Sequence, residues 1–196
     1  VEGKLLEINE ALDELREFTD IGEASIQVSE TEDKDWINNW KEFFKPFRVD
    51  DSIVIKPTWE TLTEKKDGDL VVEIDPGTAF GTGAHETTKL CIWNLKKYLK
   101  KGDTVFDVGC GSGILSIISM LLGADYAAAV DIDPIAVGVT AENAEVNKLT
   151  ATVCEKDEKG LPVFTGKSGL IEVTDGNVIG DAELRAAVGL AKYDIV

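Results

Sequence analysis

At 196 residues, 43% of them hydrophobic, the chain is long enough for one good core and a small appendage. Its 37 acidic residues outnumber 20 basic ones for a net charge of −17, and no basic cluster stands out, so a nucleic-acid backbone is disfavoured as a direct partner; a basic protein or a small molecule fits better. No apolar run is long enough to span a bilayer and no signal-like amino terminus is present, so neither a membrane span nor export is expected. Cys91, Cys110 and Cys154 are too scattered for a metal site or a disulfide framework, which suits a reducing cytoplasm.

Residues 4–18 place Leu5, Ile8, Leu12, Leu15 and Phe18 on one helical face, and 25–29 reads as a short strand. One helix and one strand cannot make a domain, so 1–34 is read as the end of a small α+β unit, with a cut start at Val1. From Asp35 a helix carries Trp36, Trp40, Phe43 and Phe44 on one stripe and stops at Pro46. Such a stripe more often packs against a neighbouring domain than binds a ligand, which makes 35–48 an interdomain helix and 49–196 the main domain. Residues 49–55 and 70–74 are strand-like and are read as a hairpin around the loop 64–69.

Between Asp75 and Thr88 lie three glycines and four threonines, ahead of a helix over 88–99. An ordinary turn has no need of Phe80, several glycines and His85 together, so this stretch is read as a loop that closes over a ligand held by the next strand. That strand is 104–107, and an apolar helix follows over 114–122, which puts Gly109, Gly111 and Gly113 on the strand-to-helix turn. Glycines there let the backbone approach a ligand closely and turn amide N–H groups toward it.

A dinucleotide fingerprint would have its third glycine where Ile114 stands, and it would not place an acid, Asp107, two residues before the first glycine. A carboxylate there repels a pyrophosphate and attracts a cationic amino-acid tail, which points to S-adenosylmethionine. Strand 126–131 ends in Asp131, 22 positions after Gly109, where an acid can bond ribose hydroxyls. Asp133 caps the next helix, with Pro134 at its first position, and is given no ligand role. Cys110 reads as a small packed thiol. Helix 136–148 carries Asn143 and Asn147, to which no chemistry is assigned; 152–156 and 170–174 are strand candidates, Asn177 follows the second, and 182–190 is a helix candidate. Residues 193–196 begin an apolar strand, leaving an edge that a complete protein would cover.

Taken together, the segments 75–88, 107–115 and 131–134 resemble the bacterial ribosomal-protein methyltransferase family of the PrmA type, and Trp36-Ile-Asn-Asn-Trp40 with Phe43-Phe-Lys-Pro-Phe-Arg48 looks like that family's interdomain helix. The resemblance implies an α/β, Rossmann-like, class I S-adenosylmethionine-dependent methyltransferase with an incomplete doubly wound sheet and the remnant of a small α+β recognition domain. It implies trimethylation of amino groups, lysine side chains and the α-amine, of large-subunit ribosomal protein eleven. Thr88, Gly109 and Asp131 would contact the cofactor, with Phe80, Gly81, Thr82, Gly83 and His85 in a covering loop; Asp107, Gly111 and Gly113 join them from the residue-level reading. Family members extend at both ends, including an Asn-containing loop beyond Val196. A local departure is Ala84-His85-Glu86, where many relatives have Thr-His-Pro or Thr-His-Glu, and it is read as changing little.

The implied chemistry is attack by a neutral amine on a methyl carbon, for which the protein mainly supplies orientation; no residue is an evident base. Competing readings are a small-molecule methyltransferase, a cofactor- or partner-binding fragment without catalysis, and, disfavoured by Asp107 and the glycine spacing, a nicotinamide oxidoreductase.

Overall fold

The computed structural model describes residues 2–28, 41, 44–75, 81–189 and 191–196. Two compact units are present, Val1–Trp36 and Ile37–Val196. Most of the interdomain helix expected from Asp35, with Trp36, Trp40 and Phe43, lies outside the described residues, as do Phe80 and the residues 76–79.

In the first unit, α1 (Glu2–Arg16) carries exposed ion pairs one turn apart, Lys4 with Glu7 and Arg16 with Asp13. Residues 24–28 are irregular, not the strand expected at 25–29. A lone strand has no ladder to join, and no other strand is described in this unit.

The second unit opens with a three-stranded sheet ordered β1 (Phe47–Arg48), β2 (Ile53–Pro57), β3 (Leu70–Ile74). Here the expected hairpin is corrected, because β2 and β3 run parallel, Ile53 beside Leu70 and Pro57 beside Ile74. The antiparallel partner of β2 is instead β1, joined to it by a tight turn in which Asp50 Oδ1 accepts from the amides of Ser52 and Ile53. With that edge taken, the chain crosses back through 58–69 and adds β3 on the other edge. Every residue of β2 is buried, as a central strand requires.

Arg48 closes the crossing by donating to both Asp69 oxygens, at 2.9 and 2.6 Å. Its guanidinium holds the Asp69 carboxyl down at about 2. A carboxylate with a depressed folded value stabilises above its ordinary range of about 4 and loses that contribution as pH falls. In thermal melts, unsubstituted protein is therefore expected to stand above Arg48→Gln at neutral pH, with the gap narrowing between about pH 4 and pH 2. A gap that stays constant on acidification would contradict this account.

The main sheet is parallel and ordered β4 (Thr104–Val108), β5 (Tyr126–Asp131), β9 (Leu170–Asp175), β6 (Thr150–Val153). On the far side of β4, Ile195 bridges to Val105 in parallel. Helices α2 (Glu86–Tyr98), α3 (Ile114–Leu122), α4 (Pro134–Val146) and α5 (Ala182–Val188) accompany these strands. The strand expected at 152–156 is displaced. Residues 150–153 form the sheet edge, and Glu155–Lys156 then turns away as β7 to pair with β8 (Pro162–Val163). The inner place beside β5 goes to β9, whose Ile171, Glu172, Val173 and Thr174 are all buried, whereas β6 is mostly exposed.

One core joins both sheets, with Ile55, Val72 and Ile74 packed with Ile117, Ile118, Ala127, Ile171 and Val173. Full burial of each isoleucine or valine side chain among them contributes about 1.5–3 kcal/mol. Among the described residues no helix is long and apolar enough to cross a membrane.

Candidate functional site

From β4 the chain proceeds through α3 to β5 and later to β9 on one side, whereas the 193–196 segment lies on the other. The winding therefore reverses at β4, and the crevice such a reversal opens lies at the carboxyl ends of the strands, where residues 109–113 sit. Gly109, Gly111 and Gly113 all have positive φ, 83°, 53° and 77°. Gly109 is exposed and a Cβ there would meet nothing within 4 Å, so it faces open space. Gly113 is the opposite case, because a Cβ would lie 2.7 Å from Thr140 Cγ2 and 3.1 Å from Thr140 Cβ.

The amides of this loop are mostly turned inward, which corrects the expectation that they aim at a ligand. Gly109 and Cys110 donate to Val130 O at 2.7 and 3.2 Å, and Gly113 donates to Cys110 O at 2.7 Å. Gly111 N–H reaches Asp131 Oδ2 at 2.7 Å. Asp107 takes one anion position at the start of α3. Its Oδ2 accepts from Ser116 N at 3.2 Å and Ser116 Oγ at 2.7 Å, in the first turn of α3. A protein carboxylate thus already occupies this helix amino terminus, where a pyrophosphate would otherwise be favoured.

Asp107 is buried, and burial holds its carboxyl above the usual carboxylate range, with the Asp131 charge adding to the effect and the Ser116 hydrogen bonds opposing it. Among the described residues Oδ1 accepts no hydrogen bond, so one acceptor oxygen is left for a cation. Half-buried Asp131 accepts from Gly111 N on Oδ2 and from Asp133 N on Oδ1. A carboxylate has about four acceptor sites, so two remain for hydroxyls. Ile132, next in the chain, is 70% exposed beside it, an apolar surface suited to a purine.

Asp133 is a cap, as expected, accepting from Ile135 N. Burial pushes the Cys110 thiol up to about 12, so it is a packed group and not a nucleophile. His85 sits at the cap of α2, its Nδ1 within 3.3 Å of Thr87 N and 2.7 Å of Thr87 Oγ1, and the helix begins earlier than the expected 88. Thr82 Oγ1 accepts from Ala84 N, and Thr88 is half-buried in the first turn of α2. Gly81 and Gly83 pack onto the glycine loop region; a Cβ on Gly83 would lie 2.5 Å from Ile114 Cδ1.

Asn143 and Asn147, to which the sequence assigned no chemistry, are structural links. Asn143 is 1% exposed and bonds Asp75 N and Ser112 O, and Asn147 bonds both Glu73 N and Glu73 O. The available signal was their spacing from Thr140, at i+3 and i+7, which lines one helix stripe. Asn177 closes a turn, its Oδ1 accepting from Ile179 N and Gly180 N.

The sequence model of the family described as ribosomal protein L11 methyltransferase (PrmA) matches residues 3–171. The ribosomal protein L11 methyltransferase of Lachnoclostridium phytofermentans is 62% identical over 189 residues, 96% of this chain and 56% of that protein. Its counterpart from Lachnospira eligens is 49% identical over 196 residues, 100% of this chain and 56% of that protein. The crystal structure of ribosomal protein L11 methylase from Lactobacillus delbrueckii subsp. bulgaricus matches with a TM-score of 0.51 at 34% identity, covering 55% of this chain and 54% of that one.

The fold is that of the Rossmann-like class I methyltransferases, with the glycine turn at the switch point of a parallel sheet. The chain belongs to the ribosomal protein L11 methyltransferase (PrmA) family. It spans just over half the length of the curated relatives it matches.

Proposed function

We propose that residues 49–196 hold S-adenosylmethionine in an enzyme that methylates amino groups, lysine side chains and an α-amine, of a large-subunit ribosomal protein in the cytoplasm. Residues 1–34 would belong to the part that recognises that protein, and 35–48 would link the two. The observation that carries the cofactor assignment is the glycine loop with its neighbouring acids. Four of its amides are engaged within the protein and Asp107 places a carboxylate at the first turn of α3, which disfavours a pyrophosphate there. What the site offers instead is one free carboxylate oxygen, the exposed backbone at Gly109, and Asp131 with Ile132. Those features fit an ammonium, a methionine chain, a ribose and a purine, in that order.

S-adenosylmethionine supplies a methyl group already activated by its sulfonium, so no strong base or nucleophile is required of the protein. Asp107 would hold the ammonium, Asp131 the ribose hydroxyls, and Gly109, Gly111 and Gly113 would let the backbone lie close to the cofactor. Thr88 and the loop carrying Phe80, Thr82 and His85 would exclude water and shape the amine entrance. The acceptor amine must arrive neutral, and solvent can take its proton before attack. Positioning of donor and acceptor is the main catalytic contribution.

Isothermal titration of S-adenosylmethionine and of NAD into this chain tests the assignment. Saturable binding of the first alone is expected, weakened about 10- to 100-fold in Asp131→Ala, since hydrogen bonds to a charged group contribute about 1.5–3 kcal/mol. Binding of NAD, or indifference to the Asp131 substitution, would overturn it.

A further inference from the structure

Ser112 and Asn143 together connect the two loops that border the site. Asn143 Nδ2 donates to Ser112 O at 2.9 Å, and its Oδ1 accepts from Asp75 N at 2.8 Å. The Ser112 hydroxyl donates to Gly81 O at 2.6 Å. Asp75 and Gly81 are the described residues on either side of 76–80, so both flanks of that segment are tied to Ser112, one directly and one through Asn143. Ser112 and Asn143 are 0% and 1% exposed; Ser112 reaches Gly81 with its hydroxyl, and Asn143, on α4, reaches both Asp75 and Ser112 with its amide.

The fit leaves little slack. A Cβ on Gly81 would lie 2.6 Å from Ser112 Oγ and 3.3 Å from Ser112 N. Thr140, one turn before Asn143, donates to Gly111 O at 3.2 Å and holds the same loop from below. Neighbouring Asn147 differs, because it bonds Glu73 and the Asn143 carbonyl and touches neither Ser112 nor Gly81.

We propose that Ser112 and Asn143 are positioning residues that hold Asp75 and the 81–85 segment against the glycine loop, so that a cofactor resting on the glycine loop meets residues 81–85 already in place. This rests on the assignment of S-adenosylmethionine to the site. The energetic basis is preorganisation: a loop held before binding costs less ordering when the ligand arrives. The links to Asp75 and Gly81 are part-buried and the Asn143–Ser112 link is buried, so removing one side chain removes a hydrogen bond that is partly shielded from water.

The experiment compares Ser112→Ala, Asn143→Asp and Asn147→Ala in this chain by titration with S-adenosylmethionine, thermal melting, and hydrogen exchange without ligand. Ser112→Ala and Asn143→Asp are expected to raise Kd about 3- to 10-fold, the loss of one net hydrogen bond. The 81–84 amides should exchange faster in ligand-free Ser112→Ala. Asn147→Ala should lower the melting temperature while its Kd stays within about twofold, as befits a link that stabilises without reaching the loops.

Lower melting temperatures with unchanged Kd in both bracket variants would overturn the proposal, as would an equal rise in Kd for Asn147→Ala. Ser112→Ala keeps the test decisive if Asn143→Asp fails to fold. Absence of cofactor binding by the unsubstituted chain overturns the cofactor assignment and with it the proposal. That failure is distinguishable, since the ligand-free exchange difference would still report the tie between the loops.

Discussion

Replacing Gly113 with alanine is expected to destabilise the protein by about 2–5 kcal/mol and to abolish cofactor binding at ordinary ligand concentrations. Gly113 has φ 77°, in the left-handed region, where an alanine costs roughly 1–2 kcal/mol. The new Cβ would also lie 2.7 Å from Thr140 Cγ2, 2.9 Å from Oγ1 and 3.1 Å from Cβ. Both branch atoms of Thr140 face the new methyl group, so a staggered rotation that removes one brings the other into its place, and overpacking of this kind costs about 1–3 kcal/mol more. Relief by backbone movement would shift Gly111, whose carbonyl Thr140 holds and whose amide Asp131 holds. Denaturant unfolding and titration with S-adenosylmethionine check the two halves of the expectation. Gly109→Ala is the informative comparison: it shares the positive φ, but its Cβ would meet nothing within 4 Å, so a smaller loss of stability is expected. Equal losses at the two positions would show that backbone strain, and not the Thr140 contact, dominates.

Asp107→Asn is expected to separate binding from stability. The amide keeps a carbonyl oxygen for Ser116 N and Oγ, so the start of α3 retains its acceptor. The anionic partner for a cofactor ammonium is lost, which should weaken S-adenosylmethionine binding by about 10- to 100-fold, on the order of 1.5–3 kcal/mol for a hydrogen bond between charged groups. Stability should move the other way. A carboxyl held above its ordinary range by burial keeps its proton in the folded protein where the unfolded chain has lost it, so stability falls as pH rises above about 4. The asparagine variant lacks that titration. Its melting temperature should equal or exceed that of the unsubstituted chain at neutral pH, with the advantage disappearing toward about pH 4. Unchanged cofactor affinity in this variant would remove Asp107 from the ligand site and leave it as a helix cap alone.

Local sequence was enough wherever a position's role depends on neighbours in the chain. Gly109, Gly111 and Gly113 lie between a buried strand and an apolar helix, Asp133 precedes Pro134, and Asp131 ends a strand; each is legible because turn geometry and caps are short-range. Three features were misread for one shared reason. Residues 49–55 and 70–74 have the composition of hairpin strands but pair parallel, because β1 already holds the antiparallel edge of β2. Residues 152–156 have the composition of one strand, but 150–153 pair with β9 at the sheet edge and 155–156 leave to pair with β8. Asn143 and Asn147 look solvated on a helix, yet they face β3 and the glycine loop.

The sequence by itself determined the fold class, the glycine turn, the acids at 107 and 131, and the family resemblance carried by three motifs. Those follow from backbone preference, burial periodicity and charge, which act over a few residues. Only the tertiary structure decided that the loop amides are engaged inside the protein, that Asp107 caps α3 while keeping one oxygen free, and that Ser112 and Asn143 join two loops. The Asp75–Asn143 bond joins residues 68 positions apart and the Ser112–Gly81 bond residues 31 apart. Partners so distant in sequence are chosen by how helices and sheets pack, and a polar side chain's role is undefined until its buried partner is known.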